Sequence, residues 1–249
     1  MKLFLLTIAI TIGLQSYAQK ASFKELRLKP NSKYYKAKEA TIFFPIVVTN
    51  NIKIDKLINE QIKEDVFEPD AKNQSLQKII AENINEYGLI NLSFEATYNN
   101  HYLLSFSIFR EGCGAYCSSE NIYFNFDLLT GKKVSITDII QENRIDSFRN
   151  IVLSDKVSSL NKYKIEEKAL IGTDGIDSAT YDWVISEIDD NCIHQVSLKD
   201  FSISDKSIEI LDPCGLPHAI QSQEPVIELK YSFELLEKFL TTKFKKLLK

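Results

Sequence analysis

The sequence predicts an α+β fold: an antiparallel sheet built from hairpins, with helices packed on it, as a single compact unit. Three observations predict it. Runs that alternate apolar and polar residues follow one another closely, as LINLSFEATY (89–98), HYLLSFSIFR (101–110) and NIYFNFDL (121–128). Two segments of helical period, about 54–66 and 75–87, come together before those runs instead of alternating with them, which argues against a doubly wound sheet. With 44% hydrophobic residues and only 8 glycines in 249, the chain can bury a sizeable core. Neither an internal repeat nor a low-complexity linker interrupts it.

The first residues, MKLFLLTIAITIGLQSYAQK, place a basic Lys2 before an apolar run and small residues at Ser16 and Ala18. That order predicts a secretory signal peptide over 1–18, cleaved after Ala18. The apolar run is short for a membrane span, and no later run is long enough for one, so the mature chain is expected to be soluble and secreted or periplasmic. Lys+Arg number 30 against 34 Asp+Glu, a net charge of −4, and loss of Lys2 takes it to −5. A mildly acidic exported protein has no electrostatic reason to bind nucleic acid.

Residues 19–37 are polar and lysine-rich and predict an arm or a short edge strand. The main domain is expected over 38–249, with possible halves 38–140 and 141–249. ATIFFPIVV (40–48) is a dense β-branched and aromatic run, hence a strand, and Pro45 within it suggests an edge or a bulge. Ile54, Leu57, Ile58 and Ile62 fall on one helical face. In the second helix Leu76, Ile79, Ile80, Ile84 and Tyr87 form the stripe, Ser75 the N-cap and Gly88 the terminator. Asn99-Asn100 is expected to turn a hairpin. Thr130-Gly131-Lys132 is a tight turn, Val134 and Ile136 continue as a strand, and Asp138 caps a helical segment. Residues 141–190 read as mainly helical, with breaks near Gly172 and Gly175 and the least regular pattern in the chain. Val196–Ser204 and Ile208–Leu211 predict a hairpin, Val226–Lys230 a last strand, and Ser232 the cap of a closing helix with Phe233, Leu236, Phe239, Leu240 and Leu247.

Four cysteines, Cys113, Cys117, Cys192 and Cys214, make an even count, which outside the cytoplasm points to disulfides. Three pairings are possible, and loop spacing favours Cys113–Cys117 with Cys192–Cys214 over the two crossed ones. A thiol nucleophile would need His194 or His218 beside Cys113 or Cys117, and a zinc site would draw on Cys113, Cys117, Cys214 and His218. An oxidising compartment favours the staples over both, so no metal or cofactor is expected. CGAYC (113–117) and CGLPH (214–218) share their spacing and lie at the ends of β elements. Tyr116, Pro217 and His218 are therefore the candidate binding residues on one rim of the sheet, the bland alternative being ordinary loop positions. Glu187, Asp189 and Asp190 cluster near Trp183, but adjacent acids usually form a solvated face, not a glycosidase pair. Residues 173–177 lack the spacing of a calcium loop. The lysines at 243–249 complement a helix C-terminus.

The order of strand ATIFFPIVV, helix LINEQI, hairpin SFSIF, Gly-Ala-Tyr loop, FDLLTGKKVSITDII and PVIELKYSFELLEKFL resembles a known family. It is similar to the extracytoplasmic domain shared by RsiV-type anti-sigma factors, which sense lysozyme, and PdaC-type peptidoglycan deacetylases, over roughly residues 38–240. The resemblance implies one α+β unit that binds instead of catalysing. These 249 residues hold no counterpart of a sigma-binding segment or a deacetylase domain, so signalling and deacetylation do not carry over. The family often has a histidine where this chain has Tyr116, so no ligand-contact residue carries over. The expected function is that of an exported, non-catalytic binding protein of the bacterial envelope, with a lysozyme-like protein as partner. The alternatives are a peptidoglycan- or glycan-binding accessory module and an envelope hydrolase.

Overall fold

The structure is a computed structural model and describes residues 20–29, 41–67, 73–100, 102–114, 117–172 and 177–248. The expected signal peptide lies outside these residues. Strands β1 (Ser22–Leu28), β2 (Thr41–Val48), β3 (Leu89–Asn100), β4 (Leu103–Cys113), β5 (Cys117–Asp127) and β6 (Lys132–Lys133) form one sheet in that order. The fold is α+β as predicted. All neighbours run antiparallel except β2 and β3, which pair in parallel over Thr41–Asn91 and Ile42–Leu92. A parallel pair needs a crossover, here α1 (Ile52–Phe67) and α2 (Leu76–Glu86).

The predicted arm supplies β1, an edge strand. β2 is not an edge, yet Pro45 is still accommodated, because the ladder to β3 ends at Ile42. Beyond that point Asn59 of α1 takes over, accepting from the Val47 amide at 2.8 Å and donating to its carbonyl at 2.7 Å. Pro45 lies two residues earlier and so turns the same backbone edge toward the helix, where it has no N–H to leave unpaired. Ser75 caps α2, accepting from Lys78 N. Gly88 ends it with φ +68, and a Cβ there would stand 1.9 Å from the Cys113 carbonyl oxygen. Asn99 and Asn100 are not the β3–β4 turn but the last residues of β3: Asn99 pairs with Leu104 and Asn100 with Leu103, and Tyr102 adopts φ 67.

Alternation on β4 and β5 separates two faces. Leu104, Phe106 and Ile108, with Ile122, Phe124 and Phe126, turn toward α1 and α2. Phe106 and Phe124 stack with centroids 5.0 Å apart against Ile58 and Ile62. Each such side chain contributes roughly 1.5–3 kcal/mol on burial. The opposite face carries Ser105 and Asn125, both buried, and a second sheet docks there. That sheet has order β7 (Phe201–Ile203), β8 (Ser207–Ile210) and β9 (Leu229–Ser232). Ser105 Oγ accepts from the Ile203 amide at 3.0 Å, and Asn125 Nδ2 donates to the Phe201 carbonyl at 2.8 Å.

Three expectations near the ends of elements need correction. The strand through Val134 and Ile136 is only β6, because Ser135 opens the short helix α3 (Ile136–Ile139), with Asp138 accepting from the Ser135 amide at 2.9 Å. The last strand starts at Leu229, where pairing to Ile210 begins, and Val226 is exposed. The closing helix is broken: Thr241 N bonds Ile139 O and Gln141 N bonds Phe239 O, which holds 240–241 extended. Thr241 then caps α6 (Thr242–Leu247).

Helix α4 (Ile145–Leu170) explains the irregular pattern in that region. Its buried positions are Phe148, Val152, Lys156 and Leu160, a stripe one residue wide with a cation in it. Lys156 is 3% exposed and reaches Asp212 at 2.6 Å and the Gln195 carbonyl at 3.2 Å. Helix α5 (Ser178–Glu187) follows, capped by Asp177. Among the described residues no helix is long and apolar enough to cross a membrane.

Two outcomes are expected. Asp212→Asn strands the buried Lys156 ammonium and should lower unfolding stability in urea by about 3 kcal/mol, with Lys156→Met added in the same chain restoring most of it. Burial, then the charges of Glu167 and Glu224, push the Tyr163 phenol up to about 12. Burial and the Asp155 hydrogen bond and charge raise Tyr231 as well. Both phenols hold their protons when folded and lose them near pH 10 when unfolded, so stability is complete below about pH 10 and falls as pH rises through 12. Urea midpoints at pH 9–12 should show this slope, and Tyr163→Phe should flatten it.

Candidate functional site

The site is built on the outer length of β5. That strand pairs with β4 over its whole length, from Cys117–Cys113 to Asp127–Leu103, whereas β6 covers only Phe126 and Asp127. The segment 211–227 faces the uncovered part as a wall. Its position is fixed at several points. The Cys192–Cys214 disulfide ties it to the end of α5, and Leu216 and Ile220 pack with Leu160, Val184 and Ile188. Glu224 accepts from the amides of Gly215 and Leu216 at 3.0 and 2.8 Å, and Tyr163 donates to the Gln223 carbonyl at 2.6 Å.

A hollow of about 570 Å³ lies between strand and wall, and a second of about 520 Å³ lies further along β5 beside β6; they share Glu120, Asn121, Tyr123 and Asp200. Each falls within the roughly 300–1,000 Å³ that ligand sites occupy. The first is floored by Leu211, Pro213, Pro225 and Ile227 and carries Glu120, Asp200, Asp212 and Glu224, and among the described residues no lysine or arginine lines it. Lys156 neutralises Asp212, and Arg110 lies 3.4 Å from Glu120, so Asp200 and Glu224 dominate the local charge. Burial, then the charges of Glu209 and Asp200, raise the Tyr123 phenol above its ordinary value. The second hollow carries Lys133, which pairs with Asp65, and Lys199.

The expected disulfides Cys113–Cys117 and Cys192–Cys214 both form, and among the described residues no cysteine is free. The thiol and zinc alternatives therefore lose their sulfur ligands. The first staple joins the last residue of β4 to the first of β5, so β5 begins at Cys117, four residues before the alternating run 121–128. The CGAYC and CGLPH loops do share a rim: His218 Nε2 lies 3.0 Å from the Cys117 carbonyl oxygen. Pro217 precedes the 3-10 turn His218–Gln223. Tyr116 lies outside the described residues. Glu187, Asp189 and Asp190 stand apart from the cleft. Glu187 accepts from Trp183 Nε1 and Asn191 Nδ2, Asp189 pairs with Lys164, and Ser186 donates to Asp190.

Sequence reasoning missed Asn121, Tyr123, Asp200 and Glu224. Their residue types carry no signal in isolation. The one legible hint was the alternation of 121–128, which put Asn121, Tyr123 and Asn125 on the face away from the aromatic core.

No family model matches the sequence, and no curated protein matches it. The fold is similar to the crystal structure of a DUF3298 family member from Bacteroides fragilis NCTC 9343, with TM-score 0.56 and 12% identity, over 92% of this chain and 96% of that one. A DUF3298 family protein from Pseudomonas aeruginosa PAO1 aligns with TM-score 0.49 and 10% identity, over 90% and 94% of the two chains. DUF3298 is the domain found in RsiV- and PdaC-like proteins. At 12% identity the first likeness is one of fold alone.

Closing a loop of four residues constrains the unfolded chain less than closing one of twenty-two. Cys113→Ser with Cys117→Ser should cost about 2 kcal/mol, against about 3 kcal/mol for Cys192→Ser with Cys214→Ser. In the first variant amide shifts should stay within 112–118 and around His218, and changes across the second sheet would contradict the local role assigned to that staple.

Proposed function

We propose that this chain is an exported, non-catalytic binding protein of the bacterial envelope, and that the cleft beside β5 takes a cationic protein partner. A lysozyme-like muramidase is the expected class. One observation carries the reading: the first hollow joins an apolar floor to carboxylates, and among the described residues no basic side chain lines it. Lysozymes are commonly basic, and complementary charge raises both encounter rate and selectivity. The two disulfides fit an oxidising compartment. The likeness to the Bacteroides fragilis DUF3298 protein is one of fold and names no partner.

The alternative reading, a module for peptidoglycan or another envelope glycan, gains nothing from a negative cleft, since such polymers are often anionic. A hydrolase would need a nucleophile or a paired acid and base, and two acids of this cleft are engaged in holding the wall: Asp212 bonds Lys156 and the Ser197 amide, and Glu224 bonds Gly215 and Leu216.

Calorimetric titration of the oxidised protein with a c-type lysozyme tests the proposal. Micromolar or tighter binding that weakens with salt is expected. Asp200→Lys should weaken it about tenfold, or about 1.4 kcal/mol. Absence of a complex with every lysozyme class at low salt, together with co-sedimentation on purified sacculi, would transfer the function to the glycan reading.

A further inference from the structure

The outer edge of β5 is closed at both ends and open between them. At one end Val134 N donates to the Asn125 carbonyl at 2.8 Å. At the other His218 Nε2 meets the Cys117 carbonyl at 3.0 Å. Along an antiparallel strand, alternate residues turn their N–H and C=O to the same side. Residues 117 and 125 face outward, so Ser119, Asn121 and Tyr123 do too. Among the described residues nothing hydrogen-bonds to their backbone groups.

Natural edge strands are usually blunted by lysine, proline, a bulge or a covering element. The run CSSENIYF (117–124) contains neither lysine nor proline, and its pairing to β4 is continuous. The first hollow separates it from the wall. All three residues line the first hollow, with its wall and its carboxylates Asp200 and Glu224, and Asn121 and Tyr123 also border the second, which carries Lys133 and Lys199.

We propose that the partner binds by strand addition: an extended, lysine- or arginine-bearing segment of about five residues pairs along β5 between His218 and β6, roughly 17 Å of strand. This rests on the cationic-partner reading and adds how the contact is made. Main-chain hydrogen bonds to Ser119, Asn121 and Tyr123 hold the segment. Its side chains on the wall side meet Asp200 and Glu224, which selects positive charge over other extended chains.

The test uses the oxidised protein and a blocked Lys-Val-Lys-Val-Lys peptide, with a fully N-methylated twin that keeps the charges and loses every backbone donor. Amide exchange and 15N shifts report the contact. The unmodified peptide should bind and protect the amides of Ser119, Asn121 and Tyr123, and the twin should bind at least tenfold more weakly. Asn121→Pro should lose binding to the same degree. Its fold should survive, because the Asn121 N–H points away from β4. If that variant melts early, the N-methylated twin decides alone. Equal binding of both peptides overturns strand addition and leaves a purely electrostatic cleft, so the cationic-partner reading stands. Failure of the peptide to bind a protein that does bind lysozyme likewise overturns strand addition and spares the cationic-partner reading. Loss of both ligands removes both proposals.

Discussion

The docking of β7 onto the polar face of the large sheet governs the rest of this molecule. Ser105 and Asn125 are buried on a surface that faces away from the aromatic core, and each meets backbone of the incoming strand. Two buried polar groups without partners would cost several kcal/mol, so the second sheet has one favourable position. Thr97 donates to Ser105 Oγ at 2.9 Å and fixes the hydroxyl that receives Ile203. From that seat the three-stranded sheet covers β4 and β5 at the Ser105–Asn125 pair, toward the end remote from the hairpin tip. The cleft is the space that this placement leaves over.

A cleft keeps its shape only if both sides are held. One side is a strand in a continuous ladder. The other is a stretch without regular structure, and its rigidity comes from unlike contacts: a disulfide to Cys192, the carboxylate of Glu224 closing its own loop, and the Lys156–Asp212 pair. That ion pair sits within the packing stripe of α4, so the helix both supports the second core and anchors the start of the wall. Charge serves structure at Asp212 and Glu224 and is left over at Asp200. The charges that act on Tyr123, those of Glu209 and Asp200, lie outside the wall and take no part in building it.

His218 illustrates how a residue can matter without chemistry. It sits on the wall, touches the hairpin tip, and closes the open edge of β5 at the point where the staple begins. The two loops share their rim because the 3-10 turn after Pro217 directs the ring toward Cys117, a contact across 101 residues.

Much of the fold was legible in the sequence. Strand periodicity identified β3, β4 and β5, helical periodicity with Ser75 and Gly88 bounded α2, and compartment with spacing favoured the two disulfides that form. These are local or nearly local quantities: side-chain alternation, cap chemistry and loop length. The misreadings share a cause as well. The Asn-Asn turn and the unbroken last helix followed local preferences that distant backbone overrode, Ala21 at Asn99 and Ile139 at Thr241, whereas the strand at Val226 lacks a partner until Leu229 meets Ile210. The cleft belongs entirely to the tertiary structure. A strand's sequence sets which face its side chains take, but not whether a neighbour fills its hydrogen-bonding edge. Asp200 and Glu224 become part of one site with Asn121 only because the chain between them folds back across β5.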